Sequence, residues 1–181
     1  MKKQLLMALA AIALFSAGCA KQTASTTTDS TSTNASLTEN KDRVRKVYDA
    51  FNTKDFSKLD SLIAPDFVDH DPGPGQQPGL AGLKKDFAEF QKGYPDFHFT
   101  PDQMIAEGDL VSSHYRMTGT NSGPMMDMPA TNKKVDVGGM DLVRVKNGMI
   151  VERWGVQDNW TMMHQLGLAP GPDTTKAHKK K

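Results

Sequence analysis

Four side chains of this sequence have a type and a setting that could support acid-base chemistry or ligand binding. Asp141 interrupts a run of Met, Leu and Val, and an acid on an apolar strand face needs a partner. Arg153, on the next β-rich run, can supply one. His70 stands between two aspartates directly before a Pro/Gly-rich loop, and Asp158 ends the second β-rich run. Because carboxylates and imidazoles can take a proton from a bound molecule, these four residues are the first candidate site.

Each candidate also has a purely structural interpretation. His70 can be an exposed histidine bonded to a carboxylate, Asp141 and Arg153 can form a structural ion pair, and Asp158 can cap the helical segment after it. The sequence has no Gly-rich phosphate loop, no Cys/His metal spacing and no serine-nucleophile motif. We therefore expect neither a cofactor nor a metal.

A β-hairpin must position Asp141 and Arg153. The β-rich runs Met140–Val145 and Met149–Gln157 are separated by Lys-Asn-Gly at 146–148, and Asn-Gly between such runs is a strong hairpin signal. The connection can be a two-residue turn at Asn-Gly or a three-residue loop that includes the lysine. A shift of one residue in register moves every side chain to the other face of the sheet.

The two registers give Asp141 different partners. The two-residue turn places Asp141 opposite Trp154 and gives the tidier apolar stripe, whereas the three-residue loop places Asp141 opposite Arg153. The three-residue loop also makes Arg144 and Glu152 diagonal neighbours on the other face. Since opposite charges across strands are favourable, we prefer the three-residue loop.

The rest of the chain predicts helices followed by antiparallel strands, and hence an α+β fold with one core. Apolar side chains at i, i+3, i+4 and i+7 mark the inner faces of two helices, with Val44, Val47, Tyr48 and Phe51 in one and Leu83, Phe87 and Phe90 in the other. The predicted helices are Glu39–Asn52, Phe56–Ile63 and Leu80–Lys92, with one or two more turns at Asn159–Leu168. The predicted strands are Asp66–Asp71, Phe97–Ala106, Leu110–Thr120, Lys133–Val145 and Met149–Asp158.

The N-terminal residues predict export. Residues 1–18 have the basic, apolar and small-residue regions of a secretory signal peptide. The small residues before Cys19, the single cysteine, resemble the lipobox of bacterial lipoproteins, in which the cysteine is acylated, although Ser16 stands where leucine is usual. The alternative is an ordinary cleaved signal with an incidental cysteine. Residues 19–35 predict a disordered tether, because they lack the large apolar side chains that a core needs.

The folded domain is predicted to span residues 36–171, followed by a disordered basic tail at 172–181. Within 36–171, 15 Lys and Arg stand against 19 Asp and Glu, a net charge of −4. This balance gives no indication of a nucleic-acid partner.

Several motifs in order resemble the SnoaL-like polyketide (ester) cyclase family across residues 36–171. They are DFVDHDP, a Pro/Gly loop, GLAGLKKDF, AEGDLV, GTNSG, GMDLVRVKNGMIVERWGVQD and HQLG. The resemblance implies a cone-shaped α+β fold of the nuclear transport factor two type, in which a strongly bent antiparallel sheet and three N-terminal helices enclose an apolar cavity. It also implies cofactor-independent, aldol-type ring closure, in which a carboxylate takes a proton next to a carbonyl.

The family's functional residues carry over only in part. His70 matches the family histidine of the first strand, whereas Asp141 stands where a second histidine is usual. Arg153 stands where the family often has a histidine, and Gly155 stands where it has the catalytic aspartate. The usual base is therefore absent, and Asp141 or Asp158 would have to replace it. The resemblance also favours the three-residue loop, because that register puts positions 141 and 155 on one face.

These observations together predict a protein of the bacterial cell envelope that is anchored to the membrane through a lipid on Cys19. It would hold a small apolar, carbonyl-bearing molecule in a cavity, with cyclase or isomerase activity as a further expectation. The alternative is a non-catalytic binding or assembly module. Whether the protein forms a homodimer is left open. The expected catalytic residues are His70, Asp141 and Asp158, and the expected substrate-binding residues are Tyr115, Met117, Arg153 and Trp154.

Overall fold

The computed structural model describes residues 26–125 and 128–169. A long helix and a short 3-10 helix come first, and one further helix separates the first strand from four consecutive strands. The elements are α1 (Thr26–Asn52), a 3-10 helix (Phe56–Ser61), β1 (Ile63–Asp69), α2 (Gly79–Gly93), β2 (His98–Glu107), β3 (Leu110–Thr120), β4 (Lys134–Lys146), β5 (Met149–Gln157) and α3 (Asn159–Leu166). No helix among these residues is long and apolar enough to cross a membrane.

The five strands form one curved, unclosed sheet in the order β1-β5-β4-β3-β2. Strands β2 to β5 pair antiparallel, as the run of hairpins predicts. Strand β1 instead pairs parallel with β5, so the expectation of an entirely antiparallel sheet needs correction for this edge strand. Hairpin signals relate only strands that follow each other along the chain, whereas β1 pairs with the last strand after a crossover. The α+β class and the cone-like arrangement are confirmed.

Helix α1 covers the inner face of the sheet with the predicted stripe. Val44, Val47, Tyr48 and Phe51 are all buried. The helix begins at Thr26, however, so the predicted tether is not structureless from there to residue 35. Extension of an existing helix adds one hydrogen bond per residue, which lets it continue past its last packed turn. The predicted signal peptide, Cys19, the first part of the predicted tether and the predicted basic tail lie outside the described residues.

Helix α2 closes the other side of the core with aromatic contacts. Phe87 stacks on Phe51 of α1, with ring centroids 3.8 Å apart and planes 13° from parallel. Phe90 in turn stacks on Tyr94, at 4.9 Å. Aromatic rings bury large areas and prefer such defined geometries. These contacts hold α2 against α1, and α2 also packs on β1.

The turn of the hairpin between β4 and β5 decides between the two predicted connections. Lys146 pairs with Met149, so the connection is the two-residue turn, with positive φ angles of 50° at Asn147 and 72° at Gly148. The preferred three-residue loop is therefore wrong. One turn residue being glycine and the other asparagine explains this choice, since both tolerate positive φ.

A β-bulge next to the turn then changes the register. Val145 pairs with Ile150 but Arg144 pairs with Glu152, which leaves Val151 as the extra residue. Beyond the bulge Asp141 faces Gly155 rather than Arg153 or Trp154. Because of the extra residue, the side chains beyond the bulge face the same way as they would have done with the three-residue loop. Asp141, Val143, Arg153 and Gly155 consequently share the inner face, as predicted.

Candidate functional site

A cavity of about 340 Å³ lies between the inner face of the sheet, α1 and α2. Most of its wall is apolar, and the polar groups collect toward β1, β5 and the loop after β1. Its main apolar lining residues are Val44, Val47, Phe51, Ile63, Phe67, Leu83, Phe87, Phe90, Phe99, Val143 and Ile150. Its ionisable and phenolic lining residues are Tyr48, Asp69, Asp71, Asp86, Tyr115, Asp141 and Arg153. Cavities of this kind, apolar with a few convergent polar groups, are typical ligand sites.

Arg153 is the centre of the polar wall because two acids share its guanidinium. Its Nε and Nη2 donate to Asp141 Oδ1 at 2.9 and 2.8 Å, and its Nη1 donates to Asp69 Oδ1 at 3.0 Å. The side chain of Asp69 is 5% exposed and that of Asp141 is 14% exposed. A planar guanidinium can hold two carboxylates at once with fixed geometry. The three side chains therefore form one rigid unit.

Helix α1 joins this unit through Tyr48. The Tyr48 hydroxyl donates to Asp141 Oδ2 at 2.9 Å and lies 2.8 Å from Ser113 Oγ. Burial raises the pKa of Tyr48 far above its usual value, and the charge of Asp141 raises it further. The phenol is consequently neutral and donates a hydrogen bond to Asp141. Both oxygens of Asp141 are thus engaged, Oδ1 by Arg153 and Oδ2 by Tyr48.

Two glycines provide the space that the side chains of Arg153 and Tyr115 occupy. A Cβ atom at Gly155 would lie 2.1 Å from Arg153 Nη2 and 2.5 Å from Asp141 Oδ1. A Cβ atom at Gly139 would lie 2.3 Å from the Tyr115 ring. Any side chain at either position would therefore displace its neighbour. The ion pair of Arg153 and Asp141 fills the space that a side chain at position 155 would need.

The pKa shifts follow from burial and from the ion pairs. Burial raises the pKa of Tyr115 well above its usual value, the charge of Asp141 adds to this, and Arg153 opposes it. Burial alone would lower the pKa of Arg153, but Asp141 and Asp69 outweigh burial and raise it. At neutral pH Tyr115 is therefore a neutral hydrogen-bond donor beside a permanent cation.

Asp86 on α2 is a second kind of acid in this wall. Burial raises its pKa, and the charge of Asp69 raises it further. No hydrogen-bond donor or cation among the described side chains contacts its carboxylate. Asp86 was not among the predicted site residues, although it lies on the inward stripe of α2, three residues after Leu83 and four before Phe90. An acid inside an apolar helical stripe is the signal that could have found it.

Three of the predicted site residues line the cavity: Tyr115, Asp141 and Arg153. His70 and Trp154 instead lie outside it, where their rings stack at 4.3 Å with planes 3° from parallel. His70 Nε2 is 3.2 Å from Glu152 Oε2. His70 was expected in the site, but the side chains of β1 that line the cavity include Phe67 and Asp69 and not His70. Phe67 drives the face that it shares with Asp69 inward, because it is the large apolar side chain of the strand.

The two remaining predicted residues also lie elsewhere. Met117 is fully buried in the core between its strand partners Phe99 and Val137, and it is not part of the cavity wall. Asp158 is the N-cap of α3 and accepts from the backbone nitrogen and the hydroxyl of Thr161 at 2.9 and 2.7 Å. These hydrogen bonds lower the pKa of Asp158. The geometry thus matches the capping interpretation of this residue.

Asp69 and Tyr48 were not among the predicted site residues. The sequence pattern places Asp69 in a strand and Tyr48 in the apolar stripe of a helix. A polar atom on an inward-facing position was the available signal in both cases, as it was for Asp141. Among the described residues, no three His, Cys, Asp or Glu side chains are grouped so that they could hold a metal ion.

Comparisons with known proteins agree with this fold. Residues 41–166 match the family model described as SnoaL-like polyketide cyclase. A putative polyketide cyclase of Streptomyces antibioticus, IdmH, is 34% identical over 71% of this chain and 98% of its own, with a TM-score of 0.64. A putative polyketide cyclase of Bacillus cereus is 29% identical over 74% and 83% of the two chains, with a TM-score of 0.65. No curated protein matches the chain.

Proposed function

The chain belongs to the SnoaL-like polyketide cyclase family, and we propose that its cavity binds a small apolar molecule that carries a carbonyl group. The observation that carries this proposal is the division of the cavity into an apolar part and one polar wall. The apolar part suits a hydrocarbon or aromatic skeleton. The polar wall offers hydrogen-bond donors, Tyr115 and Arg153, to a ligand oxygen.

The charges of the cavity wall support a neutral ligand. Asp69, Asp71, Asp86 and Asp141 line it, against the single cation Arg153 among the described lining residues. An anionic ligand would meet a surplus of negative charge, and like charges in a site of low dielectric repel strongly. A ketone or an ester carries no charge and still accepts hydrogen bonds.

The same donors suit a cyclisation reaction, which is the reaction that the family name describes. Removal of a proton next to a carbonyl places negative charge on the carbonyl oxygen, and fixed donors stabilise that charge. Tyr115 would donate to this oxygen, with Arg153 supplying positive charge beside it. We propose cofactor-independent aldol-type cyclisation or isomerisation as the reaction.

The alternative is a ligand-binding or assembly module without catalysis. It is supported by Gly155, which replaces the aspartate that the family resemblance leads us to expect there, and by the full engagement of Asp141. Both carboxylate oxygens of Asp141 already accept hydrogen bonds from protein side chains. On either alternative Asp141 positions Arg153 and Tyr48.

Location at the cell envelope also stays a proposal. It is supported by the signal-like pattern of residues 1–18 and by the small residues before Cys19. Acylation of Cys19 would hold the cavity domain near a membrane surface. A single acyl chain gives only marginal membrane binding, so stable anchoring would need a second acyl chain or a basic patch.

Binding can be tested with two matched probes, 2-tetralone and 2-tetralol, which differ in the carbonyl group alone. Titration followed by NMR should give saturable shifts with both, with tighter binding of the ketone. Tyr115→Phe should reduce the preference for the ketone, whereas Arg116→Met, on the outer face of the same strand, should leave it unchanged. Equal binding of ketone and alcohol by the wild type would contradict the proposed role of the polar wall.

A further inference from the structure

If the cavity performs proton transfer, one of its groups must accept the proton. Position 155 has no side chain, and Asp141 is held by Arg153 and Tyr48. Asp69 is held by Arg153 and by Gln76 Nε2 at 3.1 Å. Each of these acids therefore already accepts hydrogen bonds from protein side chains.

Of the two other acids that line the cavity, Asp71 accepts a hydrogen bond and Asp86 accepts none from the described residues. Asp71 Oδ2 accepts from the backbone nitrogen of Gly155 at 3.0 Å. Asp86 has no donor or cation in contact among the side chains that the structure describes. Phe87 and Phe90 of the same helix line the cavity with it, and Gly73 of the loop after β1 approaches its carboxylate, with a hypothetical Cβ at Gly73 3.4 Å from Oδ2. Asp86 is thus a partly desolvated acid that opens onto the cavity.

We propose that Asp86 is the general base of the cavity, taking a proton from the carbon next to the carbonyl of the bound molecule. The inference rests on the proposed carbonyl-bearing ligand. Asp86 comes from α2, whereas Tyr115 and Arg153 come from the sheet, so the base and the donors reach a bound molecule from different elements of the cavity. The base can then face the C–H bond of the bound molecule while the donors face its carbonyl oxygen.

The step balances without a further reactant. The C–H electron pair becomes the enolate, with its charge on the oxygen at Tyr115, and the proton stays on Asp86. The enolate carbon then forms a bond to a second carbonyl carbon of the same molecule, whose oxygen becomes an alkoxide. The alkoxide takes the proton back from Asp86, so the base is regenerated.

The raised pKa of Asp86 supports this role, because a base is most effective when its pKa approaches the working pH. Burial and Asp69 both raise it. Lys85 is its neighbour in sequence but does not contact the carboxylate. The reaction rate should therefore rise with pH through a midpoint above that of an ordinary aspartate and then level off.

The test uses 5-nitrobenzisoxazole, a probe from which a base removes one proton while the N–O bond breaks to give a coloured nitrophenolate. The wild type should accelerate this reaction, and Asp86→Asn should reduce the enzymatic rate by about 100-fold or more, the usual contribution of a general base. The matched control is Asp60→Asn, which removes an exposed acid that pairs with Lys84 outside the cavity. Its rate should equal that of the wild type.

A rescue experiment separates a missing base from a damaged fold. Asp86→Ala should recover activity when formate is added, because the small anion can enter the space of the lost carboxylate. A wild-type rate in Asp86→Asn, or a folded Asp86→Ala variant that formate does not rescue, would overturn the proposal. Failure of 2-tetralone to bind while the probe reaction still depends on Asp86 would instead reject the proposed ligand and keep the base.

Discussion

Arg153 is shared by two acids of the cavity wall, and replacing it with methionine removes the partner of both at once. Methionine keeps much of the apolar stem and leaves little cavity. Asp69 and Asp141 would remain, with side chains only 5% and 14% exposed. The variant therefore isolates the cost of leaving two nearly buried carboxylates without their cation.

The expected cost follows from the contacts that survive. Removal of one partner from a buried ion pair costs about 3–5 kcal/mol. Asp141 keeps the hydrogen bond from Tyr48, and Asp69 keeps the one from Gln76, which reduces the loss. We expect Arg153→Met to lower the free energy of unfolding by about 3 kcal/mol, at the lower end of that range. Changing both acids to asparagine as well should recover much of this loss, because no unpaired charge then remains.

Urea unfolding gives the measurement, and the sheet offers a matched control. Arg116 donates two bonds to Asp136 Oδ1 at 2.9 and 2.6 Å across the neighbouring strand pair, but both side chains are 53% exposed. Arg116→Met should cost at most about 1 kcal/mol, as is usual for a surface pair. If Arg153→Met costs no more than Arg116→Met, the reasoning about a buried, shared guanidinium is refuted.

Three further predictions concern Gly155, Asp158 and Cys19. Gly155→Asp should not restore a base but should displace the ion pair that fills this space, lowering the free energy of unfolding by about 1–3 kcal/mol in urea titrations. Asp158→Ala should lower Tm at neutral pH, and the difference from the wild type should vanish once the pH falls below the lowered pKa of Asp158, because a protonated carboxyl no longer supports the cap. A difference that persists at such a pH would contradict this. Cys19→Ser in the full chain should move the protein from the membrane pellet to the soluble envelope fraction, and a variant that stays in the pellet would contradict lipid anchoring.

Much of the fold follows from periodicity along the chain. The bounds of β3 agree with the sequence prediction, and the stripe of α1 is buried as its spacing requires. The bulge at Val151 could not be predicted in the same way, because an extra residue in a strand leaves the turn signal unchanged. The parallel partner of β1 was missed since local patterns do not specify which distant strand it joins.

The site was harder to predict because it depends on which face of each strand turns inward. His70 was expected in the site, but the inner face of β1 is the one that carries the buried Phe67, and the sequence alone did not identify that face. Asp141 was found because it interrupts an apolar pattern, and Arg153 was found because it could be the partner of that acid. Asp86 interrupts an apolar pattern too, yet a single acid in a helix has no partner in the sequence to mark it, and only the cavity shows what it faces.

The central claim is that this cavity holds a carbonyl-bearing molecule, and ligand-extraction mass spectrometry tests it most directly. Val143 points into the cavity, whereas its neighbour Leu142 lies on the outer face of the same strand. A small, apolar carbonyl compound should be extracted from the purified wild type and from Leu142→Phe, and should be depleted from Val143→Phe, in which the added ring fills the cavity. Equal recovery of the compound from both variants, or recovery of only anionic molecules, would contradict the account.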